Sequence, residues 1–125
     1  LLTVALLSAL LISDTVSAED RQPVQYEENT LYEIEVTAYC DNAQLCSTGC
    51  KPREGIAAFS PEYYGYTATV YYDNELVGIF EIKDTGSYSS GVRTGEVLDI
   101  WMPTRDECLE WGRKKCTFYL TKGVG

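Results

Sequence analysis

The tripeptide Asp84-Thr85-Gly86 is the strongest local indication of chemistry in the chain. One interpretation is the active-site loop of an aspartic protease, in which a homodimer supplies the second carboxylate and the two share one proton. Lys83 stands where such a protease has a hydrophobic residue, which speaks against this interpretation. The other interpretation is structural, because Asp and Thr side chains often hold a turn by bonding neighbouring backbone N–H groups. The tripeptide alone leaves both open.

Composition narrows the possible chemistry. The 125 residues include no histidine, which excludes Ser–His–Asp and Cys–His nucleophiles and His-ligated metal sites. Acid–base work must therefore fall to carboxylates, tyrosines, lysines or a thiol. The formal net charge of −9 makes binding to nucleic acid or to an anionic membrane by charge unlikely to be the function. We expect no cofactor and no metal.

The N-terminal part predicts export. Residues 1–18 are an apolar run that ends in Val16-Ser17-Ala18, which is typical of a signal peptide whose basic start is missing. The run is short for a membrane span of roughly 20 residues, so we expect no stable membrane insertion of the mature chain. Residues 19–30 are polar and acidic and predict a flexible leader. We expect residues 31–125 to form one folded, secreted domain.

Export decides how the five cysteines are interpreted. Their spacings are not the tight C-x2-C pairs of a zinc site. Outside the cytosol disulfides are the default, so we expect two disulfides and one remaining thiol. The sequence does not determine the pairing. The candidates are Cys40, Cys46, Cys50, Cys108 and Cys116.

The elements that must position these groups are short strands. Residues 31–39 alternate polar and apolar, as a half-buried strand does, and residues 66–72 and 76–82 flank a hairpin turn at Asp73-Asn74. Residues 55–59, 97–102 and 117–120 supply three further strands. Thr104 and Glu107 have the spacing of a capping box, which predicts a helix with Leu109 and Trp111 on its apolar face. Six strands with one helix before the last indicate a mainly β, closed barrel.

The ordered series of motifs resembles a known family, the 3D domain, which is named for three aspartates. The resemblance covers roughly residues 31–120, and the same barrel core occurs in membrane-bound lytic transglycosylase A and more distantly in expansins and rare lipoprotein A. It implies a six-stranded double-psi β-barrel. The matching motifs are VTAYC (36–40), GIAA (55–58), IKDTGS (82–87), VLDIWM (97–102) and ECLEWGRKKCTFYL (107–120).

The resemblance implies roles for two of the three aspartates. Asp99 matches the aspartate that resembles the catalytic acid of the transglycosylases, and Asp84 matches the aspartate of the family's DTG. Apolar neighbours of Asp99, together with the nearby charge of Asp84, should raise the pKa of the Asp99 carboxyl. The first family aspartate is replaced by Ser60, and Glu62, two residues on, is the possible substitute.

The function that the resemblance implies is cleavage of the MurNAc–GlcNAc β-1,4 bond of peptidoglycan by a lytic transglycosylase, with an aspartate as general acid and base. The alternative is a non-catalytic barrel that binds cell-wall glycan, as in expansin-like proteins. We expect a monomer whose partner is peptidoglycan or a related glycan. The predicted catalytic residues are Asp99 and Asp84, and the predicted substrate-binding residues are Thr85, Gly86, Glu62, Tyr63, Tyr64 and Tyr88.

Overall fold

The computed structural model describes residues 21–40 and 44–123. The chain is mainly β, and the prediction of six strands with a short helix before the last one is confirmed. A 3₁₀ turn at Pro61–Tyr63 follows the second strand. The strands are β1 (Tyr32–Tyr39), β2 (Ile56–Ala58), β3 (Thr67–Tyr72), β4 (Glu75–Asp84), β5 (Val97–Trp101) and β6 (Lys114–Thr121), and the helix is α1 (Arg105–Trp111).

The six strands form one sheet that closes on itself. Every strand pairs with two neighbours in the order β1-β5-β2-β4-β3-β6, and β6 returns to β1. The β1–β5 and β2–β4 pairs are parallel, and the other four are antiparallel. Closure leaves none of the strands at an edge, so the backbone groups of each find partners on both sides.

Alternation along the strands places the core inside this sheet. In β1, Ile34 and Val36 are buried, while the residues between them are half-buried or exposed. Side chains that alternate in this way point to opposite faces of a strand. The buried cluster is Ile34, Val36, Ala57, Phe59, Tyr63, Ala68, Val70, Phe80, Ile82, Leu98, Ile100, Cys116, Phe118 and Leu120.

The hairpin between β3 and β4 turns where the sequence predicted. Asp73 and Asn74 have φ of 52° and 65°. Two successive residues with positive φ are the mark of a type I′ turn, whose twist matches that of the flanking strands. Asn and Asp tolerate this backbone conformation better than other non-glycine residues.

The segment predicted as a flexible leader is instead packed against the sheet over its described part, residues 21–30. The Tyr26 ring contacts the rings of Tyr32 and Phe118 at centroid distances of 4.9 and 5.2 Å. The backbone N–H of Val24 donates to the carbonyl of Thr94 at 2.8 Å. The prediction was wrong because one aromatic side chain suffices to anchor a polar segment whose composition otherwise resembles a linker.

Helix α1 begins as predicted but packs differently. The Glu107 N–H donates to the Thr104 hydroxyl, which itself donates to the Glu107 carboxylate, both at 3.1 Å. Leu109, predicted on the apolar face, is 65% exposed. Trp111 makes the contact with the core, and its ring N–H donates to the Val36 carbonyl at 3.0 Å. The helix has only seven residues, so a single side chain anchors it. The helices in the described residues are too short to cross a membrane.

Candidate functional site

Asp84 and Asp99 lie on either side of one small residue. Ala58 of β2 is the register partner of Asp84 on β4 and of Asp99 on β5. The two aspartates are therefore two strand spacings apart, which corresponds to about 10 Å between their Cα atoms. Both side chains line the same pocket, and the methyl group of Ala58 leaves space between them.

An irregularity in β4 directs Asp84 to this face. Ala57 pairs with Ile82, whose side chain is in the core, and the next residue, Ala58, pairs with Asp84. One extra residue, Lys83, is thus inserted on β4. In a regular strand Asp84 would lie on the same face as Ile82 and point into the core, and the bulge at Lys83 turns it to the opposite face. Bulges commonly re-aim side chains beside functional sites in this way.

Four donors surround the Asp84 carboxylate. The Ser47 N–H, the Ser47 hydroxyl and the Thr85 N–H each donate to Oδ1 at 2.9 Å. The Tyr39 hydroxyl donates to Oδ2 at 3.0 Å. In all four contacts the carboxylate oxygens of Asp84 are the acceptors. The bond from Thr85 is the local contact expected from the structural interpretation of the tripeptide.

Asp99 has a different environment. The Thr37 hydroxyl donates to its Oδ1 at 2.9 Å, and Thr37 is its register partner across β1 and β5. Burial raises the pKa of the Asp99 carboxyl from 3.8 to about 6, the Thr37 hydrogen bond opposes this rise, and the charge of Asp84 adds to it. The predicted direction is confirmed, and burial is its largest cause.

Tyr39 stays a neutral phenol in this site. Burial raises the pKa of its hydroxyl well above the ordinary range, and the nearby Asp84 carboxylate raises it further. The proton that Tyr39 donates to Asp84 therefore remains on the tyrosine. Its ring packs against Ala58, Val92 and Val97 and so forms one wall of the site.

The pocket has a volume of about 240 Å³. The strands form its floor, and the loop between β1 and β2 forms its rim through Gln44 and Leu45, which are exposed. Polar groups that can donate or accept converge on one side. The lining residues are Tyr39, Gln44, Leu45, Ser47, Pro52, Ala58, Asp84, Thr85 and Asp99.

Thr85 is the one predicted substrate-binding residue that lines this pocket. Tyr63 is buried in the core, and its hydroxyl accepts from the Tyr26 N–H at 2.7 Å. Tyr64 packs against the same core. Gly86 lies against Val92, where an added Cβ would come within 2.9 Å of the valine. Tyr88 is 39% exposed and stacks with Arg93, away from the two aspartates.

The position of the first family aspartate is not part of the pocket lining. Ser60 is fully buried, and its hydroxyl has no hydrogen-bond partner among the described residues. Glu62 points elsewhere and accepts from the Gln25 amide at 2.9 Å. The suggestion that Glu62 substitutes for the missing carboxylate in the groove is therefore wrong, because the 3₁₀ turn carries it toward the N-terminal segment.

All five cysteines are thiols in the structure, so the two predicted disulfides are not formed there. Four of the thiols nevertheless form two neighbouring pairs, Cys46 with Cys50 and Cys40 with Cys108. Cys116 lies apart from them in the core of the sheet. In the described residues, no group of three or more Cys, Asp or Glu side chains could hold a metal ion.

Sequence reasoning missed the four residues that hold or separate the two aspartates, Thr37, Tyr39, Ser47 and Ala58, and the lining residues Gln44, Leu45 and Pro52. Thr37 and Tyr39 alternate with the core residues of β1, a pattern that places them on the outer face of that strand. The parallel pairing of β1 with β5 then decides that this face carries Asp99. Ser47 belongs to a loop, and no pattern in the sequence indicated its partner.

Comparison with known proteins supports a relationship of fold. No family model matches the chain, and no curated protein matches it. Among solved structures, the Streptomyces papain inhibitor (SPI) aligns with a TM-score of 0.59 at 11% sequence identity. The alignment covers 78% of this chain and 100% of the inhibitor. The two chains share a fold. At this identity the likeness extends no further.

Proposed function

We propose that the chain is a secreted peptidoglycan-cleaving module of the lytic transglycosylase type, with Asp99 as general acid and base. The observation that supports it best is the pair of aspartates in one pocket with unlike environments. A carboxyl with a pKa of about 6 retains its proton on roughly one-tenth of molecules at pH 7 and on most at pH 5. Such a group can donate a proton at mildly acidic pH.

The proposed reaction needs only carboxylates. Asp99 protonates the glycosidic oxygen as the bond from the sugar C1 to that oxygen breaks, leaving an oxocarbenium-like centre at C1. The C6 hydroxyl of the same sugar then attacks C1 and returns its proton to the Asp99 carboxylate. The product is a 1,6-anhydro sugar, and no water is consumed.

Asp84 has the supporting role in this proposal. Its four donors hold the carboxylate in one orientation, and its negative charge favours a positive centre at C1. Thr37 holds Asp99 in the same manner through one bond. Side chains fixed by their neighbours lose little entropy when substrate binds.

We also infer that the closed sheet is a double-psi barrel, as the resemblance to the 3D domain implies. The two parallel pairs, β1–β5 and β2–β4, within an otherwise antiparallel closed sheet support this. In this proposal secretion rests on the apolar residues 1–18, and a place at the cell wall rests on the proposed substrate.

One observation favours the non-catalytic alternative. The family's first aspartate is replaced by Ser60, which is buried without a hydrogen-bond partner among the described residues, and Glu62 does not compensate. In this alternative the same pocket binds a glycan end without breaking it. Asp84, Asp99 and Tyr39 would then serve as hydrogen-bonding groups for sugar hydroxyls.

The experiment is digestion of purified peptidoglycan at pH 5 and pH 7.5, with mass spectrometry of the soluble products. The proposal expects 1,6-anhydromuropeptides from the wild type, more at pH 5, and at least ~100-fold fewer from Asp99→Asn. Asp73→Asn, in the exposed hairpin turn, is the matched control and should retain full activity.

Binding to insoluble peptidoglycan separates the two functions. Sedimentation of wild type and Asp99→Asn with the polymer, combined with no anhydro product from either, would select the glycan-binding alternative. If neither variant sediments and neither yields product, both proposals fall.

A further inference from the structure

The cysteines cluster around the loop that forms the rim of the acidic pocket. Cys40 follows the last residue of β1, and Cys46 and Cys50 lie farther along the same connection to β2. Ser47, which donates twice to Asp84, is the neighbour of Cys46. The arrangement of the thiols therefore bears directly on the site, whatever reaction the site performs.

Cys46 and Cys50 are held face to face by the local backbone. The Cys46 N–H donates to the Cys50 carbonyl at 2.8 Å, and the Gly49 N–H donates to the Cys46 carbonyl at 2.8 Å. Both side chains pack on the cluster of Ile56 and Trp101. Burial raises the pKa of the Cys46 thiol to about 12, and its hydrogen bond with Cys50 adds to this.

Cys40 and Cys108 bring the loop to the helix. Their thiols are hydrogen-bonded to each other across the contact between the end of β1 and α1. The backbone fixes this contact independently, because the Met102 N–H donates to the Tyr39 carbonyl at 2.8 Å and Trp111 donates to Val36. Neither element can move away from the other without breaking these bonds.

Cys116 has no place in either pair. It faces the interior of the closed sheet opposite Ile34 and is 2% exposed. Its thiol points to the Lys114 carbonyl at 3.8 Å, within its own strand. Two cysteines whose side chains point apart cannot be bridged without moving the backbone, so Cys116, which points into the interior of the closed sheet, is excluded from pairing with the other thiols.

We propose that the folded protein forms two disulfides, Cys40–Cys108 and Cys46–Cys50, which hold Ser47 beside the acidic pocket and leave Cys116 as a buried free thiol. Cys40–Cys108 ties the start of the loop to α1. Cys46–Cys50 closes a tight ring around Ser47. The proposal does not depend on glycan cleavage.

Hydrogen bonds tie residues 47 and 48 of this loop to β4. Thr48 donates to the Lys83 carbonyl through its hydroxyl at 2.8 Å and through its N–H at 3.3 Å, and Ser47 reaches Asp84. Leu45 is 62% exposed. Hydrogen bonds at exposed loop residues open more readily than a packed core does, so the covalent bonds add to what holds Ser47 and Thr48 in place.

The oxidant for each disulfide is a low-molecular-weight disulfide such as oxidised glutathione. One Cys thiolate attacks the glutathione disulfide and releases one glutathione thiolate, forming a mixed disulfide. The partner Cys thiolate then attacks that bond and releases the second glutathione. Two protein thiols are oxidised, one oxidised glutathione is reduced to two thiols, and the two protons pass to the released thiolates.

Peptide mapping tests the pairing. The protein is refolded in a glutathione redox buffer, denatured with N-ethylmaleimide to block remaining thiols, and cut without reduction by trypsin and endoproteinase Asp-N. These enzymes separate the cysteines into peptides 22–40, 41–53, 106–113 and 116–122. The expected products are 22–40 linked to 106–113, an internal bridge in 41–53, and a maleimide adduct on 116–122. A bridge that includes Cys116, a link from 41–53 to another peptide, or five maleimide adducts would overturn the pairing.

Proteolysis of the native protein tests the effect on the loop. Chymotrypsin cleaves after Leu45, and the Cys46→Ser/Cys50→Ser variant should be cut there at least ~10-fold faster than the oxidised wild type. Cys116→Val is the matched control and should be cut at the wild-type rate. Equal rates for wild type and the double variant would refute the loop-fixing role. The peptide map of the wild type stands even if a variant fails to fold.

Discussion

At the scale of single residues, the site depends on two aspartates that the fold treats differently. Asp84 accepts four hydrogen bonds, whereas Asp99 accepts one from Thr37 and has its pKa raised by burial. Desolvation disfavours the charged form of a carboxyl, and hydrogen bonds to that form favour it. The raised pKa lets Asp99 hold a proton at mildly acidic pH, which is what a general acid requires.

The first prediction follows from the raised pKa of Asp99. The Asp99 carboxyl has a pKa near 3.8 in the unfolded chain and near 6 in the folded chain. Between these pH values the folded state therefore holds an extra proton on Asp99. The free energy of unfolding of the wild type therefore falls as pH rises through this window. Asp99→Asn does not titrate and keeps an oxygen acceptor for Thr37. Its stability relative to wild type should rise by on the order of 2 kcal/mol from pH 4 to pH 7.

Urea unfolding at pH 4, 5 and 7 measures this difference. Asp73→Asn, in the exposed hairpin turn, is the control and should show no comparable change with pH. A stability difference between Asp99→Asn and wild type that stays constant across the range would show that Asp99 is not perturbed by burial.

The second prediction separates the two weaker influences on Asp99. Thr37→Val removes a hydrogen bond to the carboxylate and should raise the pKa of Asp99 further, because that bond lowers it. Asp84→Asn removes a negative charge and should lower the pKa of Asp99 by a smaller amount. Carboxyl ¹³C NMR titration measures both. Thr117→Val, exposed on β6, should leave the titration unchanged, and shifts of the same sign in the two variants would contradict the assignment.

At the scale of elements, irregular segments supply side chains to the site and to the core that the regular strands alone would not place there. The bulge at Lys83 turns Asp84 to the outer face, and the loop before β2 brings Ser47 to it. The N-terminal segment, residues 21–30, packs the Tyr26 ring against the core, where it contacts four other rings. These contacts make the segment part of the domain.

The third prediction concerns this segment. Tyr26→Ala removes a ring that lies 4.9 to 5.9 Å from four other rings, and should lower the free energy of unfolding by about 3 kcal/mol. Tyr88→Ala removes an exposed ring with one Arg93 contact and should cost less than about 1 kcal/mol. Chemical denaturation measures both. A flexible leader would make the two changes equally mild.

At the scale of the whole molecule, closure of the sheet creates one interior. β6 pairs with both β1 and β3 and so joins the two ends of the strand order. Phe118 and Leu120 of this strand face the interior, at 0% and 1% exposure. Because β6 fills the core and joins β1 to β3, we expect the closed sheet to unfold as a single cooperative unit.

The fourth prediction uses two leucines that differ only in position. Leu120→Ala opens a cavity in the closed core and should lower the free energy of unfolding by about 2–5 kcal/mol. Leu109→Ala changes a side chain that is 65% exposed on α1 and should alter it by less than about 0.5 kcal/mol. Urea denaturation of both variants gives the comparison. Equal losses would place Leu109 in the core, where its sequence pattern suggested it belongs.

The sequence by itself determined the strands, the hairpin turn, the helix start and the direction of the pKa change at Asp99. These features depend on alternation, turn residues, capping and apolar neighbours, all of which are local in the chain. It misjudged Tyr26, Leu109 and Glu62, because the partner that buries or exposes each side chain lies far away in sequence.

Only the tertiary structure decided the composition of the site. Asp84 and Asp99 share a pocket because β2 pairs with both of their strands, and because one inserted residue in β4 reverses the face on which Asp84 lies. Thr37 reaches Asp99 from the parallel strand β1, and Ser47 reaches Asp84 from the loop before β2. Strand pairing and bulges depend on contacts between residues that are far apart in sequence. The sequence pattern therefore indicates which side chains could form the site, and the closed sheet decides which of them meet.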